Sequence, residues 1–229
     1  MVERQPWPDG RGLAGALNRV CGATSQALRL AGTAVTLMFK DGHQVVAAAS
    51  GERARAVAAL EFDLGEGPSH AAFSQGRPVL VPDLVGGTAA SWPGFSTAAG
   101  EKGIGAAYAF PVQVGASRLG VLSMYADQTR VFDGTERNCA AVFAEIATGL
   151  LLDNIAPADG GVVSKELASI LDQRTEVFQA QGMVMVALDV DLASALARMR
   201  AHAFALGKSL DIVALDIVEG RLNPQVEMT

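Results

Sequence analysis

Apolar residues recur at helical spacing over about residues 12–31, where Leu13, Leu17, Val20, Ala27 and Leu28 fall on one face, and the spacing predicts an amphipathic helix. Strand-like runs follow at TAVTLMF (33–39) and VVAAAS (45–50), with Asp41-Gly42 between them as a hairpin signal. Residues 53–61 read as a short helix. RPVLVPDL (77–84) reads as a buried strand that ends at Pro82, which has no N–H to give a ladder. A Gly- and Ser-rich loop and a short helix near 94–102 come next. IGAAYAFPVQV (104–114) and LGVLSMYA (119–126), joined through residues 115–118, form a long hairpin pattern. From Asp133, a fair N-cap, a helix runs to about Asn154, with Cys139, Val142, Phe143, Ile146 and Leu150 expected on its inner side.

The strands come mostly as adjacent antiparallel pairs with helices at both ends, so the first part of the chain is expected to be an α+β domain rather than a parallel doubly wound one. APADGG (156–161) is the best linker signal. The chain divides into an N-terminal tail (1–11), a sheet domain (12–155), a linker (156–163), a helical segment (164–222) and a C-terminal tail (223–229).

The helical segment has an unusual pattern. On a wheel of about 100° per residue, Leu167, Ile170, Leu171, Val177, Phe178, Val184, Met185 and Leu188 of 164–188 fill one broad arc, and Arg174 and Gln181 land in its middle. Such a polar pair sets the register of a helix dimer, snorkels from the seam's edge, or faces a ligand where the seam widens. Asp191 caps a second helix with Leu192, Ala195, Leu196, Met199, Ala203 and Leu206 on its core face, ended by Gly207. Arg200 and Phe204 form an i/i+4 pair off that stripe. An exposed aromatic beside an Arg is what stacking on an unpaired base requires; the plain alternative is a Phe packed on the neighbouring helix. Ser209 caps a third helix carrying Leu210, Val213, Ala214, Ile217 and Val218. Three helices in under sixty residues make a small core, which pairing with a second chain would enlarge.

Composition narrows the function. With 50% hydrophobic and 18% charged residues the chain has enough apolar surface for a sizeable core, which excludes wholesale disorder. No apolar run approaches the roughly 18–20 residues of a membrane span, and the N-terminus lacks an apolar signal core, so a cytoplasmic location is expected. Cys21 and Cys139 have no ligand spacing and are read as reduced thiols. His43 sits in a hairpin turn and reads as solvated; His70 beside a turn reads as a surface or capping residue. No Ser/His/Asp or paired-carboxylate arrangement stands out, so neither catalysis nor a metal or cofactor site is expected. Residues 1–163 carry 12 Lys/Arg against 15 Asp/Glu and residues 164–229 carry 6 against 9, so each part is at −3. A basic nucleic-acid footprint is therefore absent from the composition of the helical part.

DLGEGPSHAAFSQGRPVLVPDL and SWPGFSTAAGEKGIGAAYAFPVQVGASRLGVLSMYAD resemble a GAF domain over roughly residues 12–154. The resemblance rests on Leu64-Gly65-Glu66-Gly67-Pro68, the Gly-Arg-Pro before the middle strand, and Leu119-Gly120-Val121-Leu122 in the closing hairpin. It implies a six-stranded antiparallel sheet flanked by helices, with a pocket for an unknown small molecule on one face and a sensory or dimerising role. Met38, Phe62, Phe73, Trp92, Phe95, Phe110 and Tyr125 are the candidate pocket liners, with core packing as the plain alternative for each. Ser69 stands where many regulatory members carry a Cys, and a GAF-related methionine sulfoxide reductase uses clustered cysteines that this chain lacks.

Residues 164–222 resemble an ANTAR domain, an all-α three-helix RNA-binding output of bacterial transcription antitermination regulators. The resemblance is carried by Arg174, Gln179-Ala180-Gln181-Gly182 with Met185, Ala195, Met199-Arg200 with Ala203, Leu210 to Ala214, and Val218-Glu219-Gly220. It implies a homodimer that stabilises tandem RNA hairpins in leader transcripts, reads their loop bases and so prevents a terminator from forming. Arg174, Gln181, Gly182, Arg200, Phe204, Lys208 and Ser209 are the expected RNA-contacting residues, Gly182 for close approach and Ser209 for a phosphate at a helix start. The family usually has Lys in place of Gln181, so one phosphate contact is lost, although Gln still hydrogen-bonds base edges. The alternative is a protein-interaction or dimerisation regulator that keeps a degenerate ANTAR module without using RNA.

Overall fold

The strand-period runs pair into a single antiparallel sheet in the computed structural model, which describes residues 12–39, 42–84, 86, 91–155 and 165–228. The expected N-terminal tail (1–11), the linker (156–163) and Asp41 of the hairpin signal lie outside the described residues. In chain order the elements are α1 (Gly12–Ala27), β1 (Gly32–Met38), β2 (Gln44–Ala49), α2 (Glu52–Leu64), α3 (Pro68–Gln75), β3 (Val79–Val81), α4 (Pro93–Glu101), β4 (Ala106–Val114), β5 (Ser117–Ala126), α5 (Gly134–Ile155), α6 (Lys165–Leu171), α7 (Thr175–Leu188), α8 (Leu192–Leu206), α9 (Leu210–Val218) and α10 (Pro224–Glu227).

The sheet runs β2-β1-β5-β4-β3 and has five strands among the described residues, not six. The five are those the apolar runs predict; the sixth came only from the family resemblance. After β3 the chain leaves the ladder at Pro82, and the Leu84 N–H bond to the Gly105 carbonyl (2.8 Å) is a single link rather than a strand pairing.

Alternation sorts the side chains of β4 and β5 onto two faces. Ala106, Tyr108, Phe110, Val112, Leu122, Met124 and Ala126 join the core formed with α1 and α5. Ala107 and Tyr125 join the core beneath α2 and α4, with Val57, Leu84, Phe95 and Ile104. Of the residues expected on the inner side of α5, Cys139, Phe143 and Leu150 pack against the core, whereas Val142 and Ile146 are exposed; Ala140, Ala144, Ala147 and Leu151 are buried instead. Small residues let this helix lie close against α1 and β4, which turns Val142 and Ile146 outward.

Two local departures have backbone causes. The first helix stops at Ala27 rather than near 31 because Arg29 takes a left-handed φ of 50° and the Leu30 N–H turns back to the Ser25 carbonyl. Helix α3 escaped prediction because so few of its positions are apolar, yet Pro68 opens it and Gly76, at φ 66°, closes it.

The single helix expected over 164–188 is broken. A 3₁₀ turn at Asp172–Arg174 separates α6 from α7. Leu167 and Ile170 pack into the α1–α5 core, whereas Val177, Ala180 and Val184 pack with α8 and α9. One continuous apolar arc in the sequence thus serves two cores, and the bend between them falls at Arg174. In the bundle, Asp191 Oδ1 accepts from the Ser194 N–H at 2.7 Å, Gly207 ends α8 at φ 61°, and Ser209 Oγ caps α9 by accepting from the Ile212 N–H at 3.4 Å. The segment expected as a C-terminal tail carries α10, and Leu222 and Met228 are buried in the bundle core. No single described helix is long and apolar enough to cross a membrane.

Candidate functional site

Between β5 and the α2–α3 connection lies a buried polar group. Glu61 is 2% exposed, and its Oε1 accepts from the Ser69 N–H at 3.0 Å. Ser69 Oγ meets Ser123 Oγ at 2.7 Å, and the neighbouring Tyr125 hydroxyl has no hydrogen bond of normal geometry among the described residues. Burial pushes the Glu61 carboxyl up to about 7 against the opposing pull of Ser69. Burial also holds the Tyr125 hydroxyl well above its ordinary range. Gly67, at φ 140°, makes room for the acid: a Cβ there would come 2.5 Å from Glu61 Oε1. Glu66 faces the other way and accepts from the Phe95 N–H at 2.9 Å, fixing the start of α4. The Leu64-Gly65-Glu66-Gly67-Pro68 turn is therefore a device for burying one carboxyl and anchoring two helices.

His70 is not a surface residue. Its Nε2 lies 3.0 Å from the Glu61 carbonyl oxygen and 3.1 Å from the Gln44 amide nitrogen. One tautomer donates to the carbonyl, the other accepts from the amide. Burial lowers its pKa, which favours the neutral ring.

The sheet domain and the bundle meet along the far end of α2 and the tip of the β1–β2 hairpin. Phe62 projects away from the sheet and joins the buried core of the bundle with Val177, Leu196 and Met199. The Arg174 and Arg200 guanidinium carbons lie 4.3 and 5.0 Å from its ring centroid, and Arg200 Nε donates to the Phe62 carbonyl oxygen at 2.8 Å. Arg174 Nη1 also faces Asp63 at 3.8 Å and Asp211 at 3.7 Å, close enough for ion pairing and too far for hydrogen bonds. Consistent with that spacing, Arg174 Nη1, Arg200 Nη2 and Asp63 Oδ1 are buried without a hydrogen-bond partner among the described residues. Burial drives Asp63 up to about 6, with Arg174 opposing, and drives Arg200 down to about 10. Two cations share one ring and one carboxylate, so this contact is held at some expense of unsatisfied polarity, about 1–3 kcal/mol per orphaned group.

The hairpin makes the second contact. His43, expected to be solvated, donates from Nε2 to Gln181 Oε1 at 2.7 Å and stacks on Phe178 with centroids 4.1 Å apart. Gln181 is fully buried and passes its amide to the Leu192 carbonyl at 2.7 Å. Gly42, at φ 89°, lets the hairpin tip lie over Leu196.

Of the residues expected to contact RNA, Arg174, Gln181 and Arg200 are thus gathered at one boundary and engaged there. Gly182 lies beside Gln181 on α7 with open space where a Cβ would stand. Phe204 is 73% exposed and, with Arg200, Ala201, Asp63 and Gly65, lines a groove of about 380 Å³ between α8 and the end of α2. Lys208 pairs with Asp216 at 3.1 Å, and Ser209 is occupied as the α9 cap. The remaining bundle arginines are engaged too: Arg198 with the Met228 carbonyl, and Arg221 with Asp216 and Glu219.

The seven candidate pocket liners do not come together. Phe95, Tyr125 and the half-buried Trp92 share the core under α2 and α4. Met38 and Phe73 form a small cluster near α3. Phe110 lies on the opposite face of the sheet, and Phe62 belongs to the bundle. Glu61, Asp63, His43 and His70 were missed as site residues; each gains its role from a partner distant in sequence, for which one chain's spacing holds no signal.

The GAF domain family model matches residues 11–151. Among solved structures, the chain resembles a domain assigned to a two-component sensor histidine kinase from Sinorhizobium meliloti 1021, at 19% identity and TM-score 0.50, covering 62% of this chain and 92% of that one. It resembles the GAF domain of an Acinetobacter phosphoenolpyruvate-protein phosphotransferase at 14% identity and TM-score 0.50, with 65% and 89% covered. A GAF domain region from Geobacter sulfurreducens PCA aligns at 18% identity and TM-score 0.51, with 61% and 92% covered. At these identities the likeness is one of fold. No curated protein matches the chain in sequence. The family match spans more than half of the sequence and coincides with the five-stranded sheet and its helices, and the chain belongs to the GAF domain family.

Proposed function

We propose that this chain is a signal-responsive regulator whose GAF domain senses a small molecule and controls a dimeric, ANTAR-like RNA-binding bundle. The output binds tandem hairpins in leader transcripts and acts by antitermination. It is a cytoplasmic homodimer that performs no chemistry: binding energy to hairpin loops trades one RNA structure for another. One observation carries the reading. Arg174, Gln181 and Arg200, singled out for RNA contact by their places in the ANTAR-like pattern, are the residues that the GAF domain grips through Phe62, Asp63 and His43. A sensor with that grip has direct purchase on the output. The exposed Phe204 beside Arg200 supplies a stacking surface at the same edge.

The test is fluorescence anisotropy of a labelled two-hairpin RNA titrated with the full chain at low and high salt, with and without a metabolite extract. Binding that weakens steeply with salt and drops for Arg200→Ala or Lys208→Ala supports the reading. Absence of binding at low salt under both conditions overturns it. A second reading, a protein-interaction or dimerisation module, is favoured by the −3 balance of the helical part and by Gln181 in place of the family Lys. Partner-dependent association without RNA binding would establish it.

A further inference from the structure

Two of the contacts that hold the bundle come from pairs of adjacent residues, each with one member facing outward and one inward. In the hairpin, His43 reaches Gln181 while Gln44, next in the chain, is buried and lies against His70. In α2, Phe62 takes Arg174 and Arg200 while Glu61, next in the chain, is buried and binds the α3 backbone at Ser69. The inward members meet at one atom: His70 Nε2 is within hydrogen-bond distance of both the Gln44 amide and the Glu61 carbonyl. A shift of that ring or of the Glu61 side chain displaces the backbone on which both outward contacts stand.

We propose that the GAF domain masks the bundle through a two-point latch, Phe62 and His43, and that the buried Glu61–His70–Gln44 group is its release point. The proposal rests on the RNA reading only for what the masked surface would bind. Three observations argue that the closed arrangement is a built contact and a poorly satisfied one. The bundle side offers donors that another acceptor would serve better: Arg174 Nη1 and Arg200 Nη2 have no hydrogen-bond partner among the described residues, and the ion pairs of Arg174 are stretched to 3.7 and 3.8 Å. A phosphate oxygen satisfies such donors fully. The chemistry of Gln181 suits this contact as well. A Gln carbonyl accepts the His43 N–H and its amide meets the Leu192 carbonyl, whereas a Lys has no acceptor for the histidine. Finally, Gly65, at φ 70°, leaves room for the Arg200 guanidinium, which a Cβ would approach to 3.0 Å. The turn that organises the sensor is shaped around a residue of the output.

Accessibility of the two arginines reports the latch directly. The full-length chain is treated with phenylglyoxal, and modification of Arg174 and Arg200 is timed by mass spectrometry, with the exposed Arg118 as internal reference. Wild type is expected to react slowly at both. His43→Ala, which breaks one latch point, and His70→Gln and Glu61→Ala, which touch neither arginine, are expected to speed both reactions at least tenfold. Ser96→Ala, an equally buried polar position outside the group, is expected to leave them unchanged. Circular dichroism identifies any variant that fails to fold, and His43→Ala, at a half-buried position outside the buried group, keeps the test decisive if Glu61→Ala does. Folded His70→Gln and Glu61→Ala proteins that react like wild type overturn the release point, and an unaltered His43→Ala overturns the latch. The same proteins are titrated with the two-hairpin RNA, where loosened variants are expected to bind at least tenfold more tightly. Loosened variants that bind no RNA at low salt overturn the RNA reading while the arginine rates still establish the latch.

Discussion

Arg200 of α8 lies over the ring of Phe62 of α2 and donates its Nε hydrogen to that residue's own carbonyl oxygen at 2.8 Å. One residue of the sheet domain thus meets one residue of the helical bundle with both its side chain and its backbone. The contact explains why Phe62 is buried outside the sheet's own core, and why the loss of a single ring is expected to loosen two domains at once.

Phe62→Leu keeps most of the apolar burial and removes the ring face that attracts Arg174 and Arg200. The expected outcome is a loss of about 1–2 kcal/mol, read as a lower urea midpoint. A stability equal to wild type would show that the cation–ring geometry contributes nothing.

Stability should depend on pH through Glu61. Its folded pKa of about 7 lies above the ordinary 4.5, so the folded state binds more protons between those values. The contribution is fully present below about 4.5, declines as pH rises, and is gone above about 7, a difference of roughly 3 kcal/mol by linkage. Asp63, raised to about 6, adds a smaller effect of the same sign. Thermal unfolding from pH 5 to pH 8 should therefore show falling stability, and Glu61→Gln should flatten the curve.

Gln181→Lys introduces the residue expected at this position from the ANTAR resemblance. In this chain it removes the acceptor for His43 and places an ammonium at a fully buried position, at an expected loss of roughly 2 kcal/mol. Under the RNA reading the same variant should bind the two-hairpin RNA more tightly than wild type. Lower stability together with weaker RNA binding would contradict the idea that docking and RNA compete for this position.

Two glycines separate structural from functional roles. Gly67→Ala forces a Cβ against Glu61 at a φ of 140° and should destabilise by more than about 1 kcal/mol. Gly182→Ala meets open space inside a helix and should stabilise α7 by up to about 1 kcal/mol. If Gly182 serves close approach to RNA, that more stable variant should nevertheless bind RNA less well, which anisotropy and urea denaturation on one preparation would reveal.

Much of the architecture is legible from local pattern. Short apolar runs bounded by turn signals announced each of the five strands, and Asp191, Ser209 and Gly207 marked the helix ends that their side chains and φ angles in fact make. These are short-range effects, settled by a residue and its neighbours within one turn. The break at Arg174 was not legible, because an apolar arc at constant spacing looks the same whether one core or two receives it.

The order of side chains along the chain was therefore enough to mark the five strands, the GAF domain, and the polar residues Arg174 and Gln181 that interrupt an apolar arc, with Arg200 beside Phe204 off the core stripe of its helix. Only the tertiary structure decided what those residues face. His43 and Gln181 are separated by 138 positions, as are Phe62 and Arg200. No propensity or periodicity acts over that distance; the packing of α2 and the hairpin tip against α7 and α8 brings them together, and burial then changes the chemistry of Glu61, Asp63 and Arg200.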